Sequence, residues 1–395
     1  MKQMKKIILS AALLCAFAGL QAQTGSIERV LKSIEQNNHE LRAGEQNTRA
    51  EKLEVRNENN LEDPSVSYAR KFGQQDGVSP EIELEVTQGI DFPTLYAKRR
   101  QYARSQGRAL DLQQAVLRRD ILLRAKELCL DLIRLNQLRA LYGERIRNAE
   151  ELSALYDKRY REGDANVLEV NKVKMELMGM RAAAAENDAA HRTALQNLLA
   201  MNGNMPLEFD ETAYPLVPEL ASLDSVLDEV MGTDYAIRQA QAGSEAAKKL
   251  VTVNKHGWLP KLEVGYGREG GADDMRNGFI VGVSVPIFSN RGKVKAARAR
   301  QAGAELAQEQ VARQVEADVQ SLFNEATRLR ETMKAYDTKL MDATLSALRQ
   351  AVDAGELSVL DYYTEAETVY QNQERLADLE NRFHKVVAQL YKNNL

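Results

Sequence analysis

Proline and glycine are scarce in this sequence, which has only 8 Pro and 23 Gly among 395 residues. Because these two residues break helices and mark turns, their scarcity argues against a chain of many short elements joined by frequent loops. The length alone would suggest two or three globular domains. So few breakers in so long a chain predict long helices instead.

A strong excess of charge of either sign is also missing. The formal net charge is only −4, from 53 basic and 57 acidic residues. A nucleic-acid-binding protein needs a basic surface that neutralises phosphates. The near balance of charge therefore argues against a nucleic-acid partner.

Cysteine is nearly absent, and the first of the two lies at the N-terminus, where lysines precede an apolar stretch from Ile7 to Leu20. This pattern is typical of a secretory signal and is too short to cross a membrane as a helix. We predict that residues 1–22 form a signal peptide. Lipid attachment at Cys15 is disfavoured because Leu14 fills the preceding position, where a small residue is needed.

Cleavage after Ala22 leaves Cys129 as the single cysteine of the mature chain, so no intrachain disulfide can form. Its place in the apolar pattern of a helix predicts a packed thiol. The four histidines lie far apart and lack the spacing of a metal site. Three nearby methionines, Met175, Met178 and Met180, fit core packing better than contact with a soft metal.

The same order of landmarks occurs twice along the chain. In each copy a proline opens a pair of short strands, a second proline closes it, and a helical pattern runs on to a glycine. The landmarks are Pro64, Pro93 and Gly163 in the first copy and Pro260, Pro286 and Gly355 in the second. A repeat at this period predicts a tandem duplication. We place the first structural repeat at 23–201, a linker at 202–221 and the second repeat at 222–395.

The strand pairs, at 65–92 and 262–288, show the alternation of apolar and polar residues that strands require. The alternation sets an apolar face with Ile82, Leu84 and Val86 against an acidic face with Glu81, Glu83 and Glu85. Strands of 8 to 11 residues with two such faces suit a membrane-spanning barrel, whose strands need about 9–11 residues. Four strands cannot close a channel-forming barrel, so several chains would have to share one.

The stretches Pro93–Gly163 and Pro286–Gly355 contain no internal proline, and we predict one uninterrupted helix about 105 Å long in each. In the second, apolar residues follow the alternating spacing of four and three that marks a coiled coil. These residues are Val315, Val319, Leu322, Ala326, Leu329, Met333, Tyr336 and Leu340. Shorter helices would return from each glycine. The predicted fold class is therefore mainly α with a small β part, made of long antiparallel helical hairpins and four transmembrane strands per chain.

This pattern resembles the TolC-like outer-membrane efflux family over the whole mature chain. The resemblance is carried by the duplication, by the junctions DFPTLYAKRR and VPIFSNRGK, and by a Gly-x4-Leu signature at both helical tips. The signature reads Gly163 with Leu168, and Gly355 with Leu360. The first junction and the compact size resemble members of the heavy-metal cation efflux branch.

The resemblance implies a homotrimer in the bacterial outer membrane with a periplasmic extension. Its twelve strands would form a barrel in outer-membrane lipid, and its helices would form a tunnel. The tips would meet a periplasmic adaptor protein coupled to an inner-membrane pump of the resistance–nodulation–division type. The implied function is export of heavy-metal cations or small toxic compounds, without catalytic residues or cofactors. The hairpin tips Gly163, Leu168, Gly355 and Leu360 would contact the adaptor.

The resemblance also implies acidic side chains at the narrow end of the tunnel. Asp361, six residues after Gly355, takes the first acidic position, and Glu169 takes the matching place in the first hairpin. The next acidic position of the family falls on Thr364, with Glu365 beside it. An acidic ring of this kind favours cations. A solvated helix face remains the alternative explanation.

A function of a different class is a secreted structural coiled coil, such as a filament without a pore. A filament has no use for two pairs of strands with charged faces, so the strands favour the channel. No phosphate-binding loop, nucleophile elbow or dinucleotide fingerprint occurs, and we predict that the protein is not an enzyme.

Overall fold

The computed structural model describes residues 26–72, 80–271 and 274–395. The predicted signal peptide at 1–22, including Cys15, lies outside these residues. The segment 73–79, within the predicted strand pair at 65–92, lies outside them as well. The described residues form nine α-helices, four strands and one short 3-10 helix. This confirms the predicted fold class of long helices with a small β part.

The elements of the two predicted repeats follow a similar order, except that two helices of the second repeat stand where the first has one. In the first repeat they are α1 (Ser26–Asn37), α2 (His39–Asn57), β1 (Ser65–Lys71), β2 (Glu81–Ile90), α3 (Pro93–Glu162) and α4 (Val167–Met201). In the second they are α5 (Leu223–Thr233), α6 (Tyr235–His256), β3 (Lys261–Gly270), β4 (Met275–Ser284), α7 (Lys293–Met333), α8 (Thr338–Ala354) and α9 (Val359–Leu390), followed by the 3-10 helix Lys392–Asn394. The tandem duplication itself stays a prediction.

The first long helix agrees with the prediction. Helix α3 has 70 residues without a break, so its axis is about 105 Å long. Pro93 is its first residue, a position at which the missing N–H of proline costs no hydrogen bond. The buried Cys129 lies within it, as the apolar pattern predicts.

The second long helix was predicted wrongly, because two helices replace it. The segment after Pro286 forms turns, with Gly292 at φ +83°, and α7 begins only at Lys293. A second break lies between Met333 and Thr338, where Asp337 accepts a hydrogen bond from the N–H of Leu340 at 3.1 Å and caps α8. Leu340, the last residue of the predicted coiled-coil pattern, is 64% exposed and does not join the packed stripe.

The helical segment before each pair of strands is also interrupted, and the sequence analysis did not predict this break. Asn38 separates α1 from α2, and Asp234 separates α5 from α6. The Asn38 side chain accepts a hydrogen bond from the N–H of Leu41 at 2.9 Å. Asp234 accepts from the N–H groups of Ala236 and Ile237 at 2.8 and 3.2 Å. Each break is therefore the N-cap of the following helix, formed by a residue type that favours this position.

The four strands form one antiparallel sheet in the order β1-β2-β3-β4. The central pair joins the two repeats, with Ile82 opposite Gly270 and Ile90 opposite Leu262. Alternation puts apolar side chains on one face, where Phe279 is 89% exposed and Val281 77%. No described element covers this apolar face, as expected of a face that meets lipid.

The chain divides into two compact units. One comprises the described residues up to Leu41 together with Arg118–Val230 and Asp318–Leu395, and it includes both hairpin tips. The other comprises Arg42–Leu117 and Met231–Ala317, and it includes the sheet.

The linker predicted at 202–221 packs within the first unit. Asn136 and Gln137 of α3 donate hydrogen bonds to the carbonyl groups of Glu211 and Thr212 at 3.0 and 2.9 Å. The ring of Tyr214 stacks on His384 of α9, with 4.4 Å between ring centroids. The linker is thus held by both backbone and side-chain contacts.

Candidate functional site

The two helical tips reverse the chain at glycines in the left-handed region. Gly163 has φ +86° and Gly355 has φ +75°, a conformation that glycine adopts without the clash of a Cβ. The following N–H groups donate back into the preceding helix. Asp164 donates to the carbonyl of Arg159 at 2.8 Å, and Glu356 donates to that of Ala351 at 2.9 Å.

The first returning helix, α4, begins with a capping box in which Glu169 takes part. The Asn166 side chain accepts hydrogen bonds from the N–H groups of Leu168 and Glu169 at 2.9 and 3.1 Å. The Glu169 carboxylate in turn accepts from the N–H of Asn166 at 2.8 Å. Glu169, one of the acids predicted at the aperture, is therefore also part of a helix cap.

The second returning helix, α9, uses Asp361 in a related way. The Ser358 hydroxyl accepts a hydrogen bond from the N–H of Asp361 at 3.1 Å and donates one to its carboxylate at 2.7 Å. Glu169 and Asp361 thus occupy corresponding places, three residues into each returning helix. Both carboxylates lie near a helix N-terminus, where negative charge is favoured.

The remaining predicted site residues are exposed at or near the tips. Leu168 is 68% exposed and Leu360 is 41% exposed. The side chain of Glu365 is exposed as well and makes no ion pair with any described residue. Thr364 donates its hydroxyl hydrogen to the carbonyl of Leu360 at 2.9 Å, as helical threonines often do.

A buried core joins the two hairpins directly behind the tips. It contains Leu152, Tyr156, Val170 and Val173 from the first hairpin and Val352, Val359, Tyr362 and Tyr363 from the second. The core explains how two hairpins distant in sequence present their tips together. The structure thus brings Gly163, Leu168, Gly355 and Leu360 to one end of this unit.

The sequence reasoning missed a buried arginine in the same unit. Arg145 donates hydrogen bonds to Glu374 at 2.5 Å, to Gln373 at 3.1 Å and to the carbonyl of Tyr370 at 3.0 Å. Its guanidinium also lies 4.2 Å from the centroid of the Tyr370 ring, within the range of a cation–π contact. The sequence signal was an arginine inside the apolar stripe of α3, three residues after Tyr142.

The acidic face of the sheet is the second candidate site. The strand register puts Glu83 of β2 directly opposite Glu269 of β3, and Arg276 of β4 lies opposite Glu269 on the other side. Lys71 pairs with Glu83 at 2.8 Å, while Arg276 pairs with Asp274 at 2.5 Å. Like charges opposite each other weaken a sheet. The basic side chains of Lys71 and Arg276 therefore lie beside this pair of acids on the same sheet.

Two further features of the described residues bear on function. None of the described helices carries an apolar stretch long enough to cross a bilayer. Within the same residues, no three His, Cys, Asp or Glu side chains are grouped in a way that could hold a metal ion.

Comparison with known proteins connects these features to a family. The family model described as outer membrane efflux protein matches residues 226–393. No curated protein sequence matches the chain. Several solved structures share its fold at low sequence identity, as expected for a fold maintained by pattern more than by particular residues.

Three of these structures cover nearly all of the chain. A membrane protein from Pseudomonas aeruginosa is 16% identical, with a TM-score of 0.79, over 93% of this chain and 90% of its own. VceC from Vibrio cholerae, an outer membrane protein, is 16% identical, with a TM-score of 0.74, over 93% and 95%. CusC, which forms a transmembrane channel, is 16% identical, with a TM-score of 0.76, over 92% and 91%.

Proposed function

We propose, from the premise that the chain belongs to the outer membrane efflux protein family, that it forms a homotrimeric efflux duct. Both the family and the fold are those of channel proteins rather than enzymes. Members of the family act in the outer membrane as the exit ducts of tripartite efflux systems. The secreted filament without a pore is not favoured, because neither the family nor the fold is of that kind.

The observation that carries the proposal is the sheet with one apolar and one acidic face, whose strand β2 is followed directly by the long helix α3. Only 2 residues separate the end of β2 at Ile90 from the start of α3 at Pro93. The apolar face is exposed within the chain, and its edge strands β1 and β4 have no further described partner. Edges of this kind must be paired inside a membrane. Pairing β4 of one chain with β1 of the next would satisfy them in a closed ring of three chains.

The partners follow from the same premise. The tips, with the exposed Leu168 and Leu360, would contact a periplasmic adaptor protein. The adaptor would couple the duct to an inner-membrane pump, for which we propose the resistance–nodulation–division type. The predicted signal peptide at 1–22 would direct export of the chain.

The proposed substrates are heavy-metal cations or small toxic compounds. Acidic side chains on the sheet and at the tips favour the passage of cations. Asp361, Glu365 and Glu169 would face the aperture of the tunnel, where three copies of each would surround the path.

Fractionation of cells that express the full chain tests the assembly. We expect the protein in the outer-membrane fraction, migrating as a trimer on an unheated gel and as a monomer after heating. A monomer in the soluble fraction would exclude the duct.

Export is tested by expressing the chain with an adaptor and pump in a host that lacks its own duct and measuring survival on copper, zinc and a cationic dye. Survival unchanged by the chain would argue against all three substrates.

A further inference from the structure

A basic groove lies between the last turns of α2 and the first turns of α3, in the unit that contains the sheet. Its cationic lining consists of Lys52, Arg56, Arg100, Arg104 and Arg108. The groove has a volume of about 520 Å³. Such a concentration of positive charge contrasts with the whole chain, whose net charge is −4.

Most of these charges lack a partner. Asp111 is the one acidic residue of the lining, and its carboxylate is bonded to Lys52. The side chains of the four arginines form no hydrogen bond or ion pair with any residue that the structure describes. Cations held side by side repel one another, and the repulsion decreases the stability of the fold. A cluster of like charges that does not stabilise the fold is expected at a site where a ligand binds.

The helix dipole does not explain the arginines of α3. The N-terminus of a helix carries partial positive charge and favours acidic residues. Helix α3 has no acidic residue in its first turn, and Arg100 follows only seven residues after Pro93. Arg100, Arg104 and Arg108 lie beyond that first turn, where the helix dipole neither favours nor opposes them.

The spacing of these arginines produces a continuous basic strip. Residues four apart lie on the same face of a helix, so Arg100, Arg104 and Arg108 form one row about 12 Å long. Ala103 and Gly107 form the floor of the groove beside this row. A Cβ at Gly107 would meet nothing closer than the Lys52 side chain at 3.9 Å, so packing does not require glycine there. Its missing side chain keeps the groove open.

The groove lies close to the end of α3 that adjoins the strands. Arg100 and Arg104 are 7 and 11 residues past Pro93, which is about 10 and 17 Å along the helix axis. Side chains of a helix lean toward its N-terminus, and in α3 this is the end that adjoins the strands. Long arginine side chains can extend further toward the lipid headgroups. With the strands in a membrane, as proposed above, the row would lie on the side of α3 nearest the lipid phosphates.

We propose that this groove binds the phosphate groups of an anionic phospholipid in the periplasmic leaflet of the outer membrane. The inference rests on the proposed function, because it requires the strands to lie in that membrane. The planar guanidinium group matches phosphate with two parallel hydrogen bonds. Basic pockets beside membrane-spanning elements bind lipids of this class.

Native mass spectrometry of the purified full chain with added cardiolipin tests the proposal. The groove variant is Arg100→Gln/Arg104→Gln/Arg108→Gln. The control variant, Lys295→Gln/Arg298→Gln/Arg313→Gln, removes the same charge from exposed positions of α7 outside the groove. We expect the groove variant to retain cardiolipin at least about tenfold more weakly than the wild type, and the control to retain it normally. Equal retention by both variants would overturn the proposal.

Two additional variants separate the groove from its charge. Gly107→Leu keeps every charge and fills the floor, so it should weaken cardiolipin retention as well. Replacing the three arginines with lysine keeps the charge and should restore part of the binding. Unaltered retention in the Gly107→Leu variant would show that cardiolipin binds elsewhere.

Two further measurements identify the source of the phosphate and separate this proposal from the channel itself. Phosphatidylcholine should be retained equally by all variants, and inorganic phosphate should not displace cardiolipin. Displacement by inorganic phosphate at equal concentration would indicate a site for free anions and overturn the lipid proposal. The groove variant should conduct ions like the wild type. Missing conductance in the wild type would contradict the proposed function. Equal cardiolipin retention by the groove and control variants would contradict only the lipid proposal.

Discussion

The Ser358 hydroxyl and the Asp361 carboxylate are hydrogen-bonded at 2.7 Å at the start of α9, so a predicted aperture residue is also part of a helix cap. At the first tip the Glu169 carboxylate accepts a hydrogen bond from the backbone N–H of Asn166 at 2.8 Å, so this acid is also part of a cap. A change at either acid therefore alters both charge and local stability. Separating these two effects is the first requirement for any test of the aperture.

Ser358→Ala and Asp361→Asn separate the cap from the charge. Ser358→Ala removes the cap and should decrease local stability by about 1 kcal/mol while leaving the charge in place. Asp361→Asn keeps an oxygen that can accept from Ser358 but removes three charges from a trimer. We expect only Asp361→Asn to weaken block by divalent cations in planar bilayers. Equal effects of both variants on cation block would remove Asp361 from the aperture.

Glu365 provides an internal comparison, because its side chain takes part in no described ion pair or cap. Glu365→Gln should leave hydrogen exchange at the tip unchanged. If Glu365 faces the aperture, cation block should weaken in this variant too. A Glu365→Gln channel identical to the wild type would indicate a solvated helix face at that position.

Substitution of the tip glycines should destabilise the tips. Gly355→Ala forces a Cβ into the left-handed region at φ +75°, at a cost of about 1–2 kcal/mol. Gly143→Ala is the matched control, because this glycine lies within α3 and an added Cβ would meet no atom within 4 Å. The control should stabilise its helix by about 0.5–1 kcal/mol. Hydrogen exchange of both segments measures the two changes, and faster exchange in the Gly143→Ala control would contradict the account.

Arg145 should contribute more stability than a surface arginine on the same pair of helices. Its side chain is 7% exposed, whereas Arg134, which pairs with Asp378 at 2.7 Å, is 29% exposed. Arg145→Ala should cost about 2–3 kcal/mol, because several hydrogen bonds to a charged group are lost. Arg134→Ala should cost less than about 1 kcal/mol. Hydrogen-exchange rates in α3 and α9 measure both losses of stability. Equal losses would show that the burial of Arg145 does not increase its contribution to stability.

The contact between His384 and Tyr214 should weaken in acid. Burial, aided by the charge of Lys126, lowers the pKa of His384 to about 4 from an ordinary value of 6.5. As pH falls below 6.5, the unfolded form gains a proton that the folded form does not, so stability decreases down to about pH 4. Exchange of the linker near Tyr214, corrected for the intrinsic effect of pH, should accelerate from pH 7 to 5. His384→Phe should remove this dependence, whereas His39→Gln, at an exposed position, should retain it.

The sequence predicted the strands and α3 because their signals are local. Alternation identified β2, and a helical pattern without proline identified the 70 residues of α3. The break after Met333 was missed because the apolar spacing continues through Tyr336 to Leu340, although Asp337 caps the start of a new helix there. A regular apolar pattern alone does not reveal a helix cap inside it.

The candidate site was predictable only in part. Gly163 and Gly355 were found because turn chemistry is visible in sequence, and the structure gives both a positive φ. Arg145 was missed because its partner Glu374 is 229 residues away, so nothing near Arg145 predicts the pair. The capping role of Asp361 could have been predicted, since Ser358 precedes it by three residues, as in a capping box.

Ion conductance of the purified full chain in planar bilayers tests the central claim most directly. The account predicts stable channels whose reversal potential in a salt gradient indicates a preference for cations. The same protein should migrate as a heat-sensitive trimer. Protein that remains a monomer in solution and produces no conductance at any concentration would contradict it.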